Sequence, residues 1–273
     1  MSYGLNTYTK IKVKNNLTVT TIQTSLHWEN IDANLSMLGQ KMLGIKEKTD
    51  LIVLPEMFST GFTMNAAMLA EQTKGKTVRW MAEMAGHMNA VITGSIVVED
   101  QNRFYNRLIW MRPDGSFETY DKRHLFGLGK EDDTYSAGTQ KLIVELNGWK
   151  ICPMICYDLR FPVWARNLKD NPYDLYLIVA NWPERRSLHW KTLLPARAVE
   201  NQSYVVGLNR VGNDGNEIYH SGDSMVIAPD GTVLYQKSHD EDIHSLELSG
   251  ETLEFVRRAF PFLKDQDGFE IQI

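Results

Sequence analysis

Three short runs in this chain each stop at a charged or reactive residue: 51–54 (LIVL) before Pro55-Glu56, 117–120 (FETY) before Asp121-Lys122, and 149–155 (WKICPMI) before Cys156. Runs of four to seven residues match strands, and the first and last are apolar enough to be buried on both faces. Between them lie helical stripes. One runs through Ile31, Leu35, Leu38, Met42 and Ile45, behind the helix-start signal Asn30-Ile31-Asp32; another runs through Val78, Met81, Ala85 and Met88. A chain that alternates helical stripes with buried strands folds as a layered α/β protein. Such folds place their chemistry just past the strand ends, where Glu56, Lys122 and Cys156 fall.

The rest of the chain fits the same frame. Residues 17–23 alternate as a strand, and 90–98 read as another. Residues 104–111 and 117–120 flank Pro113-Asp114-Gly115, a hairpin turn signal that recurs as Pro229-Asp230-Gly231 between 224–228 and 232–236. The repetition suggests two sheets of related build. Asn147-Gly148 predicts a third hairpin, between 142–146 and 149–155. Residues 161–169 and 187–200 read as helices, the second with a kink or restart near Pro195. Strands are predicted at 175–180, 203–211 and 243–248, and a final helix at 251–260. Residues 1–16 read as a flexible or strand-edge extension. With no linker-like segment, a single domain over 1–273 is expected.

Charge and composition exclude several classes. A net charge of −5 and a pI of about 5.8 leave no basic footprint for nucleic acid. No stretch approaches the roughly 18 apolar residues of a membrane span, and the polar N-terminus lacks the core of a signal peptide. A cytoplasmic protein is expected. The two cysteines, Cys152 and Cys156, would lie ~13 Å apart on one strand at ~3.3 Å per residue. A disulfide needs less than ~7 Å. Both thiols are therefore expected to be free, Cys152 as a core residue. Two cysteines without a nearby histidine make no structural zinc site, and the seven histidines are scattered, so no metal and no cofactor is expected.

Suppose that folding brings Glu56, Lys122 and Cys156 together. A thiol beside an ammonium and a helix N-terminus is expected to have a lowered pKa and to attack at neutral pH. A glutamate shielded from water can take and return a proton. The Tyr157 N–H and Lys122 can hold an oxyanion. The set suits acyl transfer from an amide, with a thioester intermediate. From residue type alone, each member has a blander reading: a solvated Glu or Lys, or a core cysteine.

The segments Leu54-Pro55-Glu56-Met57-Phe58, Tyr120-Asp121-Lys122-Arg123-His124-Leu125-Phe126 and Ile155-Cys156-Tyr157-Asp158-Leu159-Arg160-Phe161-Pro162 resemble the three signature segments of the nitrilase (carbon–nitrogen hydrolase) superfamily, in the family's order. Ala180-Asn181-Trp182-Pro183 and Ala196-Arg197-Ala198-Val199-Glu200-Asn201-Gln202 are also similar to family segments. The stretch from Asn181 to Trp190 looks most like the omega-amidase branch, which hydrolyses 2-oxoglutaramate and 2-oxosuccinamate to the 2-oxo acid and ammonia. The resemblance implies a four-layer α-β-β-α sandwich with two mixed β-sheets, and commonly a homodimer. It implies Glu56, Lys122 and Cys156 as the catalytic triad, a small-molecule amide as substrate, and a second glutamate in the loop after the lysine, for which Glu131 is the candidate. Another carbon–nitrogen substrate, carbamoyl or nitrile, and a catalytically silent interaction protein on the same fold stay open as alternatives.

Further positions follow from their neighbours. His124, two residues after Lys122, would share its face on a strand and is read as a supporting residue rather than a base. Phe58, Asn181 and Trp182 follow strand ends and are candidates for the acyl pocket. An oxo acid needs a cation for its carboxylate; Arg185 is the candidate, beside Arg186. Asp158 is expected to cap the next helix, and Arg197 to pair with Glu200 at i+3. The sequence carries no Ser-nucleophile elbow, phosphate loop or H-E-x-x-H site: 222–226 (GDSMV) lacks the second glycine, and 75–77 (GKT) has Ala70 where a phosphate loop needs glycine.

Overall fold

The structure is a computed structural model that describes residues 14–272. Its strands form two mixed sheets. The first contains β1 (Leu17–Gln23), β2 (Leu51–Val53), β3 (Glu71–Gln72), β4 (Val91–Asp100), β5 (Arg103–Met111), β6 (Phe117–Asp121) and, from the far end of the chain, β14 (Asp242–Leu248). The second contains β7 (Val144–Leu146), β8 (Trp149–Ile155), β9 (Leu175–Ala180), β10 (Tyr204–Asn209), β11 (Val211–Asn213), β12 (Tyr219–Ile227) and β13 (Val233–Ser238). The helices are α1 (Ile31–Leu43), α2 (Ala66–Leu69), α3 (Lys76–Met88), α4 (Glu131–Thr134), α5 (Pro162–Ala165), α6 (Ser187–Asn201) and α7 (Gly250–Ala259).

The two sheets share one plan. In each, three parallel strands (β1-β2-β4 and β8-β9-β10) are extended on one side by an antiparallel pair (β5-β6 and β12-β13) and on the other by one antiparallel strand (β14 and β7). The two Pro-Asp-Gly turns join the equivalent pairs, as their sequence likeness suggested. The alternation of each strand then decides its faces. Leu17, Val19, Leu51, Val53, Val91, Leu108 and Trp110 join one core cluster with Trp149, Ile151 and the rest of the second sheet. Ile22, Ile52, Ile92, Ile96, Ile109 and Met111 face outward and pack with Leu35, Leu38 and Met42 of α1 and Val78, Met81 and Ala85 of α3. On the second sheet Trp190, Leu194 and Ala198 of α6 and Leu253 of α7 supply the outer layer. Each fully buried aliphatic side chain contributes about 1.5–3 kcal/mol. The result is the expected four-layer α-β-β-α sandwich.

Local chemistry explains most boundaries. The Asn30 side chain accepts from Ala33 N at 3.1 Å and starts α1. Asn147 and Gly148 adopt φ of 51° and 81°, the pair of positive angles that a two-residue hairpin turn requires. Three expectations are corrected. α6 continues through Pro195 without a restart. The helix expected at 161–169 is the single turn of α5, because the Asn167 side chain bonds Tyr173 N and O and its backbone N bonds Asn201 Oδ1, pulling the chain out of helix. Of the expected extension, residues 1–13 lie outside the described residues, while 14–16 are held: Lys14 N donates to Glu254 Oε1, and Asn16 Oδ1 accepts from Gly250 N.

Candidate active site

Loops from the same end of both sheets meet over a cavity of about 400 Å³, lined among others by Lys122, Cys156, Tyr157, Asn181 and Trp182. The Glu56 loop leaves β2 and is bonded to β4: Leu54 N to Thr93 O, Met57 N to the Ser95 hydroxyl, and Phe58 N to Ser95 O. Met57 takes a φ of 43°, turning the chain so that Glu56 is buried between the sheets. Gly94 makes room for this turn, since a Cβ there would stand 2.8 Å from Phe58 and 2.9 Å from Leu54 Cβ. Lys122 follows β6, its N–H still paired to Asn106 O of β5. Cys156 follows β8 with a φ of 43°, a strained angle for a residue with a Cβ.

The buried ends converge. Lys122 Nζ lies 2.8 Å from Glu56 Oε1 and 3.0 and 2.9 Å from the two Glu131 oxygens. Asn106 Nδ2 donates to Glu56 Oε1 at 2.9 Å and to Glu131 Oε1 at 3.2 Å. Asn181 N donates to Glu56 Oε2 at 2.7 Å. The Cys156 thiol adjoins the same carboxylate. A carboxylate offers about four lone-pair sites. Three of those on Glu56 are filled by protein donors. Glu56, Lys122 and Glu131 all have fully buried side chains, with two negative charges against one positive.

That charge balance sets the proton equilibria. Burial opposes the Lys122 charge, but Glu131, Glu56 and Cys156 outweigh it and raise its pKa, keeping it an ammonium. Burial raises Glu131, Lys122 lowers it and Glu56 raises it again, with a net upward shift. The Cys156 thiol is pushed well above its usual range, first by burial and then by Glu56, with Lys122 too weak to reverse them. The expected lowered cysteine pKa is therefore corrected: the resting group is a neutral thiol. Nor does an α-helix begin there, because residues 156–160 form one 3₁₀ turn with little dipole. Cys152 is buried and free, pushed up to about 12 by burial.

The other expected positions divide. Tyr157 lines the cavity, and its N–H meets no acceptor among the described residues. Trp182 also lines it, with Nε1 bonded to Arg186 O at 2.8 Å. Asn181 lines it too, but its side-chain N–H is spent on Glu56 O, so much of its work is to hold the glutamate loop. Phe58 is not in the pocket: the Met57 turn sends it to the outer face, 6.0 Å from Trp80. His124 does not share a strand face with Lys122. β6 ends at Asp121, and His124 turns to Asp158 (Nδ1 to Oδ1, 2.8 Å) and stacks on Phe161 at 3.7 Å. Asp158 accepts from Ile155 N, Tyr120 OH and His124 N rather than capping a following helix. Arg197 pairs with Glu200 at 2.9 Å as expected.

Sequence reasoning missed Asn106 and Phe62. Asn106 shares its strand face with Leu108 and Trp110, so an amide at a core-facing position was the available signal. Phe62, whose ring lies 5.3 Å from Lys122 Nζ, sits in an irregular loop that no periodicity marks. Among the described residues no group of three or more His, Cys, Asp or Glu side chains is placed to hold a metal, and no helix is long and apolar enough to cross a membrane.

Comparison with known proteins points the same way as the geometry. The family model described as carbon-nitrogen hydrolase matches residues 18–258. The omega-amidase YafV of Escherichia coli (strain K12) is 46% identical over 256 residues, covering 93% of this chain and 98% of that protein. The 2-oxoglutaramate amidase of Bacillus subtilis (strain 168) is 36% identical over 79% of this chain and 84% of its own. In structure, XC1258 of Xanthomonas campestris, a CN-hydrolase superfamily protein with an arsenic adduct in its active site, superposes with a TM-score of 0.92 at 40% identity, covering 94% of this chain and 100% of that one. With matches this extensive along nearly its whole length, the chain belongs to the carbon–nitrogen hydrolase family.

Proposed function

We propose that this chain is an omega-amidase, hydrolysing the terminal amide of 2-oxoglutaramate or 2-oxosuccinamate to the 2-oxo acid and ammonia. Its extended similarity to an omega-amidase and a 2-oxoglutaramate amidase supports the substrate class. The observation that carries the chemistry is the Glu56 carboxylate, gripped by Lys122, Asn106 and Asn181 at the cavity that Lys122 and Cys156 both line, with the Cys156 thiol close enough to feel its charge.

In this reading Cys156 Sγ forms a bond to the amide carbon while its proton passes to Glu56. The carbonyl electron pair moves to oxygen, where the Tyr157 N–H and Lys122 Nζ donate to it. When the C–N bond breaks, Glu56 returns the proton to nitrogen and ammonia leaves, with the acyl group held as a thioester. Water then attacks, again losing a proton to Glu56. Collapse of the second tetrahedral intermediate breaks the C–S bond, and the thiol recovers its proton. A neutral resting thiol suits this sequence, because its proton passes to the Glu56 carboxyl as the bond to carbon forms. Lys122 serves as a permanent cation, since its raised pKa keeps it from giving up a proton.

The test is ammonia release from 2-oxoglutaramate by wild-type protein and by Cys156→Ala. The variant is expected to lose at least roughly 10³-fold in kcat. Full activity in that variant would overturn the nucleophile assignment.

A further inference from the structure

The cavity is electrically lopsided. Its lining includes three arginines close in the chain or in space to Trp182, namely Arg160, Arg185 and Arg186, and two acids from other loops, Glu29 and Asp214. None of the three arginines has an ion-pair partner among the described residues. They differ in how they are held. Arg160 is committed: its guanidinium lies 4.5 Å from the Trp182 ring and bonds His189 Nδ1 at 3.1 Å. Arg185 is exposed, and no hydrogen bond or ring contact of its side chain is found among the described residues. Arg186 is half-buried, and its guanidinium lies over the Phe126 ring at 5.0 Å.

The backbone around Arg186 is fixed at every step. Its N–H donates to Pro183 O at 3.0 Å, its carbonyl accepts from the Trp182 indole at 2.8 Å, and the next residue, Ser187, donates its hydroxyl to Asp223 at 2.6 Å. The Phe126 platform is fixed as well, because its N–H donates to Glu131 Oε2 at 2.7 Å, the carboxylate that grips Lys122. A guanidinium held over an aromatic face by cation–π attraction spends no N–H donor on it, and no side-chain hydrogen bond of Arg186 is found among the described residues, so its donors are available to a planar anion. An arginine that lacks a carboxylate, is preorganised at a cavity wall and is partly desolvated has the properties of a carboxylate receptor.

Building on the omega-amidase reading, we propose that Arg186, rather than Arg185, is the residue that binds the substrate's carboxylate and so sets specificity for acidic amides. It takes the carboxylate through its guanidinium edge while the amide end reaches Cys156. Glu29 and Asp214, which also line the cavity, disfavour a carboxylate placed beside them. The same three arginines leave no counter-charge for an ammonium next to that carboxylate, so the site favours a 2-oxo acid over the corresponding 2-amino acid.

The experiment compares kcat/KM for 2-oxoglutaramate and for pentanamide, the uncharged amide of equal chain length, in wild type, Arg186→Ala and Arg186→Lys. The ratio of the two values is expected to fall roughly 10- to 100-fold in Arg186→Ala, mostly through KM for the anionic substrate, with Arg186→Lys between, since an ammonium keeps the charge but not the fork. An unchanged ratio in Arg186→Ala, or a collapse seen in Arg185→Ala instead, overturns the proposal. A wild type that releases no ammonia from 2-oxoglutaramate overturns the omega-amidase reading itself, a distinct outcome. Binding of 2-oxoglutarate to Cys156→Ala, with and without Arg186→Ala, gives a readout that needs no turnover. Loss of binding in the double variant supports the assignment, and unchanged binding refutes it.

Discussion

Glu131 shows how much one side chain can carry at the scale of a residue. Both its oxygens accept from Lys122, one also accepts from Asn106 and the other from the Phe126 N–H. It therefore holds the cation that faces the reacting carbonyl and the loop that supports Arg186. Glu131→Gln keeps the shape but removes a charge and puts an N–H where an acceptor is required. We expect kcat to fall roughly 10²-fold, in the range seen when one transition-state donor is lost, with a smaller change in KM. Steady-state ammonia release measures both, and a variant with unchanged kcat would remove Glu131 from the mechanism. In sequence the register of Glu131 was open, one acid in a run of three. Only the αL turn at Lys130 (φ 57°) and the fold of the loop bring it, and not Asp132 or Asp133, to Lys122.

At the scale of elements, the two halves of the site ride on different sheets and are tied by side-chain clips. Tyr120, from the strand before Lys122, and Asp158, from the turn after Cys156, meet at 2.8 Å, with Trp164 Nε1 donating to the same tyrosine at 3.0 Å. Asn181, after β9, reaches across to Glu56, after β2. Gly94 governs the glutamate loop because its missing side chain lets Phe58 and Leu54 lie on β4. Gly94→Ala is expected to push that loop outward, lowering kcat while stability falls by about 1–3 kcal/mol, the usual cost of overpacking a core. Urea unfolding and kinetics on the same sample test this. Unaltered kcat with the stability loss would show that Glu56 tolerates the shift.

For the whole molecule, acid stability is a property of the buried groups together. His220 is buried at the cavity wall, and its pKa is lowered from 6.5 to about 4, first by burial and then by Arg210. A depressed folded pKa means that the unfolded chain takes up the proton first. The contribution of His220 is thus complete above about pH 6.5 and is lost as pH falls toward about 4. Its size is on the order of 3 kcal/mol. Glu131, raised in the folded state, works in the opposite sense, adding stability as pH falls. His220→Gln is expected to flatten the decline in unfolding free energy over that interval, measured by urea titration at several pH values. A slope equal to wild type's would assign the acid lability elsewhere.

The sequence by itself determined the layers and the candidate residues. Strand periodicity, turn dipeptides and helical stripes depend on neighbours a few positions apart, which is why the hairpins at Pro113-Asp114-Gly115, Asn147-Gly148 and Pro229-Asp230-Gly231 were legible, as was a reactive residue past each of three strands. The tertiary structure alone decided what those residues experience. The thiol's proton affinity depends on burial and on the summed charge of Glu56, Glu131 and Lys122, which come from four separate segments with Cys156. Phe58 was misplaced because the positive φ at Met57 turns the chain, and the shared face expected for His124 fails because β6 ends at Asp121; no period reports either event. The arginine wall became visible only once Phe126 and Trp182, 56 positions apart in the chain, were seen to hold Arg186 between them. Local pattern encodes elements, whereas electrostatic environment is a sum over distant segments that exists only after folding.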